Sequence, residues 1–166
     1  IPAAQGLPRL ARAVLANWDL SGIFTLQSGF PFTVNFPGGV LNVGQTVGTG
    51  DRPDAVGDPN LPSGQRSISR WFNIGAFQTP AAYTWGNEGK NTIRGPGLTN
   101  LDLALQKRVL LPWEGLRLVF RMEGSNLLNH VELGLPGASF GSPTVGVISS
   151  LAGGPRTMQA AFRYEF

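Results

Sequence analysis

The chain is 166 residues long with a formal net charge of +3, and charged residues make up only 14% of it, against the roughly 25% of an ordinary soluble domain. Its 23 glycines and 13 prolines work against long helices and supply turns, and their lack of a three-residue period excludes a collagen-like chain. The arginines are scattered, which argues against nucleic acid as a partner. The absence of cysteine excludes disulfides, thiolate metal sites and cysteine nucleophiles, and no apolar run approaches the ~18 residues of a membrane helix.

The chain starts at Ile1 rather than Met, which reads as a processed product, a fragment or the ordered part of a longer polypeptide. The first element is a strand over about 14–28. In "WDLSGIFTLQS", Trp18, Leu20, Phe24 and Leu26 alternate with Asp19, Ser21, Thr25 and Gln27, the period of a strand with one apolar face.

A loop of roughly 70 residues follows, about 29–97, far longer than the usual connection in a compact domain. It carries turn signals at "PGG", "GTGDRPD", "GDPNLPSG", "GNEGKN" and "RGPG",. It also holds the surface-loop aromatics Trp71, Phe72, Phe77, Tyr83 and Trp85, which are expected to make the segment fold back on itself, through short hairpins or turns, or cap the barrel. Within it, Asp51, Asp54 and Asp58 are oxygen donors on a turn-rich stretch and form a weak calcium candidate. Turn formation before Pro and Gly explains them more simply. The stretches Gly48–Gly50 and Gly95–Gly97 do not sit between a strand and a helix, so they are not dinucleotide loops.

The second strand is expected over about 98–111. Leu101, Leu103, Leu105, Val109 and Leu111 alternate with Asn100, Asp102, Gln106 and Arg108. A tight turn, Pro112-Trp113-Glu114-Gly115, joins it to a third strand over about 115–128. There Leu116, Leu118, Phe120 and Met122 alternate with Arg117, Arg121, Glu123 and Ser125. A second long loop, about 129–156, begins near His130. This is the only histidine, with no second ligand near it in sequence, and is expected to cap or pack the strand-to-loop corner. The last strand, about 157–166, runs "TMQAAFRYEF", with Met158, Ala160, Phe162, Tyr164 and Phe166 on one face.

Strands on the order of 10–12 residues exceed the usual 5–6, and about 9–11 tilted residues cross a bilayer. Alternating segments of this length, joined by a short turn on one side and long loops on the other, are the pattern of a transmembrane-type barrel. The predicted fold class is therefore all-β: antiparallel up-and-down strands of a partial barrel, with long Gly/Pro-rich loops. The first and third strands would run outward, the second and fourth inward. Asp19, Asp102, Arg117, Arg121, Glu123, Arg163 and Glu165 would face the lumen and pair across neighbouring strands. No acid, base or nucleophile constellation is present, so no enzyme and no cofactor is expected.

The ordered series "WDLSGIFTLQSGFPFTV", "DRPDAVGDPNLP", "RWFNIGAF", "GNEGKNTIRGPGLTNLDLALQK", "LRLVFRMEGSNLLNH" and "RTMQAAFRYEF" resembles the C-terminal end of TonB-dependent outer-membrane receptors, in the Oar-like group that carries a carboxypeptidase-regulatory-like domain. The resemblance runs from about Trp18 to Phe166. It implies a segment of a bacterial outer-membrane receptor barrel, although this sequence has neither the plug nor the TonB box of the family. It also implies that Met158, Ala160, Phe162, Tyr164 and Phe166 are the signal read by the barrel-assembly machinery. These residues would form the lipid-facing stripe as well, with Tyr164 and Phe166 at the interfacial girdle.

Four strands do not close a lipid-spanning barrel, for which eight is about the minimum. The missing pairing partners would be the rest of a longer polypeptide or further copies of this chain. The second case gives a homo-oligomeric ring or an extracellular filament or tube at the cell surface.

Overall fold

The computed structural model describes residues 6, 8, 11, 14–36, 51–111 and 115–166. Eight strands are found among them: β1 (Trp18–Gln27), β2 (Pro31–Phe32), β3 (Asp54–Ala55), β4 (Phe77–Gln78), β5 (Ile93–Arg94), β6 (Leu98–Leu110), β7 (Arg117–Ser125) and β8 (Thr157–Glu165). The four long strands form one sheet in the order β1-β6-β7-β8, a meander in which each strand lies beside the next long strand of the chain. β6 to β7 and β7 to β8 are antiparallel. β1 runs opposite to β6, since Asn17 bonds Arg108 at one end and Gly22 lies against Leu103 farther along. Within this sheet β1 and β8 are the edges.

The chain divides into two compact units. One holds the long strands, in residues 1–26, 99–131 and 154–166; the other is built from residues 27–98 and 132–153.

The ends of the long strands have local causes. β1 begins at Trp18, later than the expected start near residue 14, because Asn17 takes a left-handed backbone (φ 60°). Asn tolerates this conformation better than most residues. β7 ends at Ser125 rather than near residue 128, because Asn126 is again left-handed (φ 48°). β6 ends at Leu110, so Leu111 lies outside the strand. Its amide still donates to the Leu116 carbonyl at 3.1 Å, across a turn in which Gly115 has φ 79°. Pro112, Trp113 and Glu114 of that turn lie outside the described residues, as do the "PGG" and Gly48–Gly50 stretches.

The loop unit has its own apolar centre. Phe32, Val34, Phe72, Ala76, Phe77 and Ile93 are buried together, with Trp71, Ile74, Ala138, Phe140 and Val145 packed against them. Phe72 meets Phe77 edge-on at 6.0 Å and Phe32 at 5.9 Å. The short pairs β2–β5 and β3–β4 bring distant parts of the long loop together. Two glycines permit close backbone crossings: a Cβ on Gly29 would sit 1.8 Å from the Gly95 carbonyl oxygen, and one on Gly86 would sit 1.9 Å from that of Arg52.

The five loop aromatics therefore separate. Phe72 and Phe77 are in the core of the loop unit and Trp71 is half-buried, while Tyr83 and Trp85 are exposed. The reason is the neighbours. Phe72 and Phe77 stand beside the paired segments that build the centre, whereas Tyr83 sits in a turn with φ 64°.

Candidate functional site

Strand register sorts the sheet into two faces, because residues directly opposite each other point the same way. On one face Leu118 stands between Val109 and Tyr164, Phe120 between Lys107 and Phe162, Met122 between Leu105 and Ala160, and Gly124 between Leu103 and Met158. The Phe120 and Phe162 rings are 4.9 Å apart. Trp18 and Gly22 of β1 belong to this face, through contacts with Lys107 and Leu103. The face is apolar and bare: Leu20 is 71% exposed, Phe162 is 74% exposed, and Phe24, Leu26, Met158 and Tyr164 are exposed as well. The terminal Phe166 is exposed, with its ring 6.2 Å from that of Tyr164.

The opposite face is polar. Arg117 stands opposite Glu165, Arg121 opposite Gln106 and Ala161, and Glu123 opposite Ala104 and Gln159. All seven charged residues named from the sequence fall here. Asp19 pairs with Arg108 at 3.2 Å, Arg163 with Glu165 at 3.6 Å, and Arg121 with Glu123, to which its Nε donates at 2.6 Å. Gln159 Nε2 donates to the other Glu123 oxygen across the strand pair. Val119 is buried between Arg108 and Arg163, its two register partners, whose aliphatic stems suit that position.

A groove of about 520 Å³ lies on this face, lined by Ser21, Asp102, Glu123, Ser125, Thr157 and Gln159 among others. Asp102 organises one end. Its Oδ1 accepts from the Asn126 amide at 2.9 Å, from Ser125 Oγ at 3.1 Å and from Asn100 Nδ2 at 3.1 Å. These bonds hold the carboxylate in place as a fixed acceptor.

Two residues that the sequence reading passed over complete the picture. Asn126, buried, is the hub of the corner where β7 ends. Its Nδ2 donates to the carbonyls of His130 (3.0 Å) and Gly154 (3.1 Å), and its Oδ1 accepts from the His130 amide (3.0 Å). His130 is thus held by its backbone at the strand-to-loop corner, with its ring exposed.

Lys107 is the second. By register it lies on the apolar face, opposite Phe120. It is only 8% exposed. Its ammonium donates to the Val14 carbonyl at 3.1 Å and to that of Ala16, and it lies 5.1 Å from the centre of the Trp18 ring. A buried charge is tolerated only with such partners. The signal was visible as a charged residue at an odd position in the run Leu101 to Val109, where every other odd position is apolar.

In the loop unit the three candidate calcium ligands do not converge. Asp54 Oδ1 accepts from the Asn87 amide at 2.9 Å, Asp58 Oδ1 accepts from the Asn60 amide at 2.8 Å, and Asp51 is buried. The Asp58 bond is a local Asx turn. Among the described residues, no group of three or more His, Cys, Asp or Glu side chains could hold a metal ion.

The family described as "Outer membrane beta barrel domain" matches residues 1–159 of the chain. No curated protein matches the chain, and no solved structure matches it.

Proposed function

The chain belongs to the outer membrane β-barrel domain family, and from that premise we propose that it is the C-terminal sector of a TonB-dependent receptor barrel. It is a bacterial outer-membrane protein, and its long strands are barrel wall. The register supports the barrel-wall part of this reading, and the ordered motifs from Trp18 to Phe166 support the receptor part: the register puts every large apolar side chain of β7 and β8 other than Val119 on one exposed face and every charge of both strands on the other. Such a sheet suits lipid on one side and a polar lumen on the other.

In this reading the apolar face meets outer-membrane lipid, and β8 with Phe166 is presented to the barrel-assembly machinery. The loop unit is the outward contact surface for a solute taken up with energy from the inner membrane. The role is wall and recognition, not catalysis. The strands needed for closure come from the rest of one polypeptide. A second reading has a specific observation behind it: β1 and β8 are both open edges, and an open edge is a template for pairing with another chain. Further copies could then close a ring or extend a filament at the cell surface.

Intact mass spectrometry and negative-stain microscopy of the same native outer-membrane preparation separate the two. The receptor reading expects a polypeptide far heavier than 17.7 kDa, in particles that need detergent. A mass near 17.7 kDa in rings or filaments overturns it in favour of self-assembly. Deleting residues 29–98 should abolish solute binding while leaving the barrel in the membrane, and binding that survives the deletion removes the contact role of that loop.

A further inference from the structure

Lys107 is the only charged residue on the apolar face of the four long strands, and the structure does not leave it facing outward. The chain just before β1 folds over it. Asn17, at φ 60°, turns residues 14–16 so that the Val14 and Ala16 carbonyls point at the ammonium. The Trp18 indole covers it from the side, and its Nε1 donates to the Val14 carbonyl at 2.8 Å. The hook thus has a polar inside, made of carbonyls, an ammonium and an indole N–H. Its outside is apolar: Val14 is 65% exposed and Leu15 is exposed too.

The hook sits at a defined end of the sheet. Lys107 and Trp18 are near the end of β6 and the start of β1. Register places Leu118 and Tyr164 at that same end, with Phe166 just beyond. Trp and Tyr with an apolar body and a polar tip are the residues of a membrane–water interface. In an up-and-down barrel with long outer loops, this end is the periplasmic one.

We propose that residues 14–18 and Lys107 form a membrane-interface buckle, in which Val14 and Leu15 lie in the periplasmic headgroup layer while Lys107 pins the segment to the barrel wall. This rests on the barrel-wall reading. The occupant of the apolar outside is the lipid headgroup–acyl boundary, because the hook continues the lipid-facing side of β6 and its only charge is turned inward. A short apolar turn carrying an aromatic anchor is what such a boundary accepts.

Depth-resolved fluorescence quenching tests it on the full polypeptide in outer-membrane lipid vesicles, using a bimane label on single-cysteine variants and nitroxide-labelled phospholipids. Labels at Val14→Cys and Leu15→Cys should be quenched most by shallow nitroxides. Labels at Leu20→Cys and Phe162→Cys should be quenched by deep ones, and a label at Ile68→Cys in the loop unit by none. Lys107→Met should lower quenching at position 14 to the level of the loop control while leaving that at position 162 unchanged, and Lys107→Arg, which keeps a cation for the carbonyls, should retain it. The buckle is overturned if positions 14 and 15 are unquenched while 20 and 162 are quenched, or if Lys107→Met changes nothing at position 14. Loss of quenching at positions 20 and 162 would instead overturn the barrel-wall reading.

Discussion

In the four-stranded sheet Leu20, Phe24 and Phe162 hold their side chains out from the surface, whereas in the loop unit Val34, Phe72 and Ile93 are wholly buried. The residue types are alike and their environments are opposite. The sheet is held by its backbone ladder and by cross-strand contacts such as Phe120–Phe162. The loop unit has little regular structure and is held by a packed centre of aromatic and branched side chains. Burial of apolar surface from water drives the second arrangement. The first gains nothing from water on its apolar face and is stable only where another apolar medium covers it. The contrast implies two solvents for one chain, and each unit is expected to answer to perturbation in its own solvent.

The largest expected effect is in the loop unit. Phe72→Ala removes a fully buried ring at the middle of the aromatic cluster, and such deletions cost about 3–5 kcal/mol. Limited proteolysis of intact outer membranes should show faster cleavage within residues 51–98, with the sheet's resistance to denaturation unchanged. If the variant also weakens the sheet, the two units unfold as one and the comparison breaks.

Next comes the apolar face. Phe162→Arg places a charge where the register puts Phe120 as its neighbour, at a cost of about 2–4 kcal/mol if the position lies near the bilayer midplane. Ala161→Glu, one residue away on the polar face opposite Arg121, should stay within about 0.5 kcal/mol, as substitutions on a solvated surface do, since the new charge meets one of opposite sign. Denaturant titration of the protein refolded into lipid vesicles measures both. Equal costs at 161 and 162 would mean that the two faces see the same medium, and the lipid assignment would fail.

This division into faces was already written in the sequence, because a period of two survives in β6, β7 and β8 and any reader of alternation recovers it. The residues that interrupt the period were harder. Lys107 falls at an apolar position, and its meaning depends on carbonyls that lie 91 and 93 residues earlier in the chain. Asn126 gave no sign of being a hub, since its bonds to His130 and Gly154 are set by a left-handed backbone that sequence does not display. In the loop unit the turn residues were legible and the packing was not. Phe72, Phe77, Tyr83 and Trp85 look alike in sequence, and only the pairing of distant short strands decides that the first two are core. Local chemistry set the strands, whereas contacts across 30 or more residues, such as Ala55 with Asn87 at 32, set the loops.

The smallest expected effect sharpens the comparison most. Asp19 and Arg108 pair at 3.2 Å on the polar face, with both side chains 55% exposed. A double-mutant cycle with Asp19→Asn and Arg108→Gln, read by denaturant titration in vesicles, should give a coupling of about 0.2–1 kcal/mol, the usual range for exposed pairs. Raising the salt concentration should reduce it further, because screening reaches charges in open water. A coupling clearly above that range and insensitive to salt would carry a different message. It would mean that the polar face is shielded from water in the assembled protein, because a pair gains strength only as the effective dielectric falls. The contrast would then involve a third environment beside lipid and open water. The groove beside Asp102 and Glu123 would be a covered surface, and whatever covers it would have to match two carboxylates already held by Asn126, Ser125, Arg121 and Gln159.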